Sequence, residues 1–163
     1  MATIVFQRWT DLHLNYILGA SATITPPSSW KVCLSTTAVS SMARNSAISA
    51  TVSGTNVNEI GSTTAAGYAR QDLARSIATG SADWGSSTFD NTLATGGTSM
   101  AGDQVTFGAF TGSGPAPNGA NSFFIGDGTT INSGQIYMAG DTAATRTFAV
   151  GDTEKVTPTV KSG

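Results

Sequence analysis

Charge is scarce in this 163-residue sequence: Asp, Glu, Lys and Arg make up only 11% of it, and the net charge is -2. The eight Lys and Arg residues are scattered singly. Recognition of nucleic acid needs clustered cations against phosphate, so no nucleic-acid partner is expected. A single cysteine, Cys33, excludes an intramolecular disulfide and a multi-cysteine metal site, and it reads as a small core residue. The single histidine, His13, has no second histidine or cysteine cluster beside it, so neither a metal nor another cofactor is expected. No apolar run approaches the roughly 18 residues of a membrane span, so no membrane partner is expected. The start of the chain lacks a basic region followed by an apolar stretch, so no secretory signal is expected either.

Catalytic motifs are also missing. There is no Gly-x-Ser-x-Gly elbow and no phosphate loop ending in Gly-Lys-Ser/Thr. Asp127-Gly128-Thr129 opens like a calcium loop but lacks the acidic ladder and the closing glutamate, and reads as a turn. The other carboxylates, Glu59, Asp72, Asp141, Asp152 and Glu154 among them, are dispersed. A two-carboxylate glycosidase needs only that its pair meet in space. Carboxylates or aromatic side chains converging on a groove would support a glycan-binding or glycan-hydrolysing module, and none is visible in the sequence. The chain is expected not to be an enzyme.

What the sequence has in abundance is small residues: Ala, Gly, Ser and Thr fill 85 of 163 positions. With 39% hydrophobic residues and little net charge, the chain is expected to be ordered. Its length fits one domain, residues 1–163. Phe6, Trp9, Leu12, Tyr16 and Ile17 recur at spacings of three and four and predict a helix over 4–18, stopped at Gly19. Trp30 to Ser35 alternates as a strand, with Trp30, Val32 and Leu34 on one face and Lys31, Cys33 and Ser35 on the other. Further strands are expected in 67–74, 103–110, with Val105, Phe107 and Ala109 sharing a face, and 122–126. Two late runs each end in Gly-Asp-Thr, at 140–142 and 151–153. Both tripeptides read as turns closing successive strands, and a last strand is expected within 157–160. Residues 36–66 show no period, only isolated Met42, Ile48, Val52, Val57 and Ile60. So long an irregular stretch is expected to be an excursion that contacts a neighbouring subunit. The fold class that follows is mainly β: an antiparallel β-sandwich, jelly-roll-like, with one short N-terminal α-helix.

The order of landmarks also carries a resemblance. Thr25-Pro26-Pro27, Leu34-Ser35-Thr36-Thr37, Gly67-Tyr68-Ala69-Arg70, Val105-Thr106-Phe107 and Gly151-Asp152-Thr153 follow an N-terminal helix in that sequence. The chain thereby resembles a group of small structural proteins of tailed bacteriophages, labelled tail-fibre-like, minor tail or head-decoration proteins. It departs from them in having Trp84-Gly85 far upstream instead of a Trp-Gly-x-Val-Thr-His segment before residue 122. The resemblance implies a virion part assembled in the host cytoplasm. Its partners are then the major capsid protein and copies of itself in a trimer, or alternatively other proteins of the tail or baseplate. Trp9, His13, Met42, Ile48 and Val52 are the expected contact residues, on the helix face and in the excursion.

Overall fold

A computed structural model describes residues 3–19, 29–45, 48–49, 57–60, 66–74, 88–89, 98–112, 119–128, 130–131 and 133–162. Thr25-Pro26-Pro27, Val52 and Trp84 lie outside the described residues. Among those described, one α-helix and twelve strands follow in the order β1 (Thr3–Val5), α1 (Gln7–Ile17), β2 (Ser29–Ser35), β3 (Ile48–Ser49), β4 (Val57–Asn58), β5 (Gln71–Ala74) and β6 (Thr88–Phe89). They continue with β7 (Thr98–Ala101), β8 (Val105–Phe107), β9 (Ala120–Gly126), β10 (Ile136–Arg146), β11 (Glu154–Val156) and β12 (Thr159–Ser162). The fold is mainly β and its pairings are antiparallel, except for the short parallel pair of β3 with β4.

The central sheet has five strands in the order β1-β10-β9-β2-β5. Smaller sheets pair β11 with β8 and order β12-β7-β6. Alternation along the central strands sends side chains to two different cores. Trp30, Val32 and Leu34 of β2, with Phe123 and Ile125 of β9, pack against Val105, Phe107 and Val156 of the β8–β11 pair. Cys33 and Phe124, at the intervening positions, join Phe6, Val39, Met42, Val57, Ile136 and Ala139 on the opposite face. A register shift between Ile136 and Met138 in β10 puts both Tyr137 and Met138 into the first core while Ile136 and Ala139 stay in the second. Burial on both faces explains why 122–126 reads as a continuous apolar run instead of an alternating one.

The second core is covered by the chain's own irregular stretch. A 3-10 turn at Val39–Ser41 buries Val39, and Met42 and Val57 are buried beside it. Backbone groups of the Leu34-Ser35-Thr36-Thr37 motif, with the Thr37 hydroxyl, hold this cover in place. Thr36 N–H donates to Asn58 O at 3.0 Å, and Ile60 N–H to Leu34 O at 3.0 Å. Thr37 Oγ1 accepts from Asn58 N–H at 3.0 Å, and Ser122 Oγ donates to Thr37 O at 2.6 Å. Val39, Met42 and residues 57–60 therefore lie against their own sheet.

Helix α1 is shorter than its apolar stripe, because Thr3–Val5 pairs with β10 as an edge strand. Phe6 is fully buried, and its N–H donates to Tyr137 O at 2.9 Å. Gln7 N–H donates to Arg44 O at 2.8 Å, which ties the helix start to the excursion. After Leu18, Gly19 adopts φ 67, the left-handed stop expected of a helix C-terminus.

Several expected elements differ, and of 67–74 only Gln71–Ala74 is a strand. Strand β8 stops at Phe107, and Gly108 at φ 109 breaks the alternation, so Ala109 is exposed and Phe110 is buried. The tripeptide Gly140-Asp141-Thr142 closes nothing: it lies inside the eleven-residue β10. The second, Gly151-Asp152-Thr153, is a turn as expected. Gly151 sits at φ 90, Asp152 Oδ2 accepts from Ala149 N–H at 2.8 Å, and Phe110 N–H and O both bond the turn backbone. In place of the strand expected before that turn there is one bridge residue, Phe148, whose ring stacks on Phe110 at 4.2 Å.

Candidate functional site

The chain has only two glutamates, Glu59 and Glu154, and both are buried against arginine. Each marks a place where burial of a charge demanded a partner.

Glu59 comes from the irregular stretch and forms a bridge with Ser35 at the end of β2. Its carboxylate takes a two-pronged contact from Arg70, Nε to Oε1 at 2.6 Å and Nη2 to Oε2 at 2.5 Å. Tyr68 O–H donates to the same Oε1 at 2.9 Å and accepts from Leu34 N–H at 3.1 Å. The side chains of Arg70 and Glu59 are 3% and 0% exposed. Arg70 also donates through Nη1 to Gly128 O and through Nη2 to Ser133 O at 3.0 Å. It thereby clasps the loop after β9. Within that loop Asp127 accepts from Gln135 N–H and from Tyr137 O–H, both at 2.8 Å. Tyr137 meets Trp30 edge-on at 4.8 Å, and Trp30 meets Trp9 of α1 at 6.0 Å.

The motif Gly67-Tyr68-Ala69-Arg70 owes its residues to this clasp. Gly67 turns at φ +87, and a Cβ there would lie 2.9 Å from Thr111 N, so both conformation and space require glycine. Burial, then the nearby Cys33 and Glu59, push the Tyr68 hydroxyl well up, which keeps it a donor to Glu59. Burial and the Glu59 carboxylate likewise push the Cys33 thiol well up, so it stays protonated and inert. Burial, the largest influence, works against the Arg70 charge, but hydrogen bonds to Glu59 together with electrostatic attraction to the groups around it outweigh it and leave the guanidinium raised. These groups spend their bonding capacity on each other and on backbone, so the cluster serves as a structural clasp.

The second glutamate borders a cleft. Glu154 of β11 pairs with Arg146, Nε to Oε2 at 3.2 Å. With Phe123, Asp141, Thr142, Ala144, Lys155, Val156 and Thr157 they line a cleft of about 330 Å³. The register break of β10 between Asp141 and Arg146 opens it, as bulges beside binding sites do. Asp141 is half-buried, and its Oδ1 accepts from Val39 N–H at 3.1 Å. The structure thus brings together carboxylates that are dispersed in the sequence.

Burial raises the Glu154 carboxyl above its ordinary value of 4.5, with Arg146 pulling the other way. A raised folded-state value means that the folded protein binds this proton more tightly than the unfolded chain does. Stability from this group is therefore full below about pH 4.5 and lost as pH rises through the folded value. Subtracting the stability curve of Glu154→Gln from that of the native protein is expected to show this decline, measured as urea midpoints from pH 4 to 7. A flat difference curve would remove burial as the dominant influence on Glu154.

Of the contact residues expected from sequence, Trp9 packs on the first core and Met42 is buried in the second. His13 lies in α1 and Ile48 in β3. What stands exposed is the end of the helix: Leu14 is 49%, Ile17 72% and Leu18 74% exposed. Ile17 belongs to the apolar stripe that predicts the helix, yet it stands exposed. Among the described residues no three His, Cys, Asp or Glu side chains gather as a metal site. No helix among them is long and apolar enough to cross a membrane.

No known protein-family model matches this chain, and no curated protein matches it at a significant level.

Proposed function

We propose that this chain is a structural protein of a tailed-phage virion: a capsid decoration protein that binds the major capsid lattice by adhesion alone, as a trimer. The observation that carries this reading is the exposed apolar helix end of Leu14, Ile17 and Leu18. Such a patch on a chain with so little charge favours burial against another subunit. Covering apolar area contributes about 25 cal/mol per Å², so a few such side chains repeated over a lattice add up. Two further points support adhesion over catalysis. The buried ionisable groups around Glu59 are consumed in structural bonds. The described motifs of the phage-like order fall on the parts that hold the fold together.

The test is cosedimentation of the purified protein with expanded capsid shells, followed by counting copies per particle. Saturable binding with hundreds of copies is expected. A count near a dozen, with label found only at the tail, would move the protein to the tail or baseplate. Ile17→Ser/Leu18→Ser is expected to leave the melting temperature nearly unchanged, because both side chains are already in water. It is expected to weaken shell binding by about tenfold or more, from the apolar area no longer covered. Undiminished binding by this variant would show that the helix end is not the contact.

A further inference from the structure

We propose that the cleft between the end of β10 and β11 is a saccharide-binding subsite, taking one unit of a neutral, polyhydroxylated glycan. This does not rest on the virion reading. The cleft's volume of about 330 Å³ lies at the small end for small-molecule sites. Its charged lining balances: Asp141 and Glu154 against Arg146 and Lys155. A free anion would face two carboxylates there, and a free cation two positive groups. A neutral ligand rich in hydroxyls avoids both penalties, because each hydroxyl donates to a carboxylate and accepts from a cation.

Bonding capacity remains for such a ligand. Arg146 meets Glu154 through Nε while its side chain is 60% exposed, which leaves its outer N–H groups to serve as donors. Lys155 is exposed and forms no ion pair among the described residues. Thr142 Oγ1 donates to Ala144 O at 2.9 Å and keeps its acceptor lone pairs. Phe123 and Val156, both nearly buried, border the cleft with their edges, and the exposed Ala144 adds an apolar contact for the C–H groups of a sugar. The scaffold is firm: Phe123 pairs with both Leu34 and Gly140 in the central sheet, and Asp141 is held by Val39 N–H.

The test is a titration of the isotope-labelled protein, followed by amide chemical shifts. The probes are glucose, galactose and N-acetylglucosamine as neutral sugars, with glucuronate and glucosamine as charged counterparts. Saturable shifts with at least one neutral sugar are expected, confined to residues 120–123, 141–146 and 154–157. Both charged sugars are expected to bind more weakly than that sugar. Lys155→Ala and Arg146→Ala are each expected to weaken binding by about tenfold, the loss of one charge-assisted hydrogen bond. Lys155→Ala removes an exposed side chain, so it keeps the comparison valid should Arg146→Ala disturb Glu154. The proposal is overturned by any of three results: no saturable shift up to the solubility limit of the neutral sugars, tighter binding of glucuronate, or equal binding by Lys155→Ala.

Discussion

Glu59→Ala is expected to lower stability by roughly 3–5 kcal/mol, the cost of stranding a buried charge by removing its partner. The variant leaves the Arg70 guanidinium, 3% exposed, with backbone carbonyls but no anion. It also leaves Tyr68 O–H without its acceptor, although that oxygen still receives the Leu34 N–H. Measured by calorimetry, the melting temperature should fall by roughly 6–20 °C for a chain of this size. Such a loss is a large share of the roughly 5–15 kcal/mol that holds a domain folded. The double replacement Glu59→Leu/Arg70→Met is expected to cost less than the two single changes added together, because neither charge is then left unpaired. A Glu59→Ala melting temperature within about 2 °C of the native value would mean that the clasp carries little energy, contrary to its burial and geometry.

Phe124→Ala is expected to cost about 3–5 kcal/mol, read from urea unfolding. Phe124 is fully buried in the middle strand of the central sheet. Its cross-strand neighbours are Cys33 on β2 and Ala139 on β10, which share its face. The large ring stands between two small side chains, and neither can expand to fill the space it leaves. The surrounding Phe6, Val39, Met42 and Val57 come from outside β9 and β2, so the cavity also loosens the cover over the sheet. Phe124→Leu, which keeps most of the volume, is expected to recover much of the loss. A Phe124→Ala cost below about 1 kcal/mol would mean that the second core collapses freely around the missing ring.

Much of the sheet was legible in the sequence because strand alternation is a local property. Trp30 to Ser35 carries its faces in its spacing and β2 follows it, while the apolar run of 122–126 marks a strand, β9, without telling its faces apart. The turn at Gly151-Asp152-Thr153 was legible for the same reason, since glycine conformation and aspartate capping act over three or four residues. How the described parts of 36–66 pack was not legible. Val39, Met42, Val57 and Ile60 are buried, yet they stand singly in Ser- and Thr-rich chain and show no period. Val39, Met42 and Val57 pack on one face of the sheet and Ile60 on the other, surfaces that exist only once the sheet has formed. The helix was legible as a helix, but its stripe overstated what would be covered: Trp9 docks and Ile17 does not.

The two Gly-Asp-Thr tripeptides separate local from tertiary control most clearly. One is a turn, and the other runs inside β10, where β9 and β1 flank it and supply ladder partners. Identical local chemistry met different neighbours, and the neighbours decided. The two glutamates follow the same division. In a chain so poor in charge, composition alone made each of them conspicuous, and burial required that each find a cation. Only the fold decided that Glu59 would meet Arg70 in a closed clasp and Glu154 would meet Arg146 beside an open cleft. By itself the sequence determined a mainly β chain, its principal strands and several of its turns, because those depend on contacts within a few residues. Which charges pair, which apolar side chains are covered and where a cleft opens depend on residues brought together from far apart, and these the tertiary structure decided.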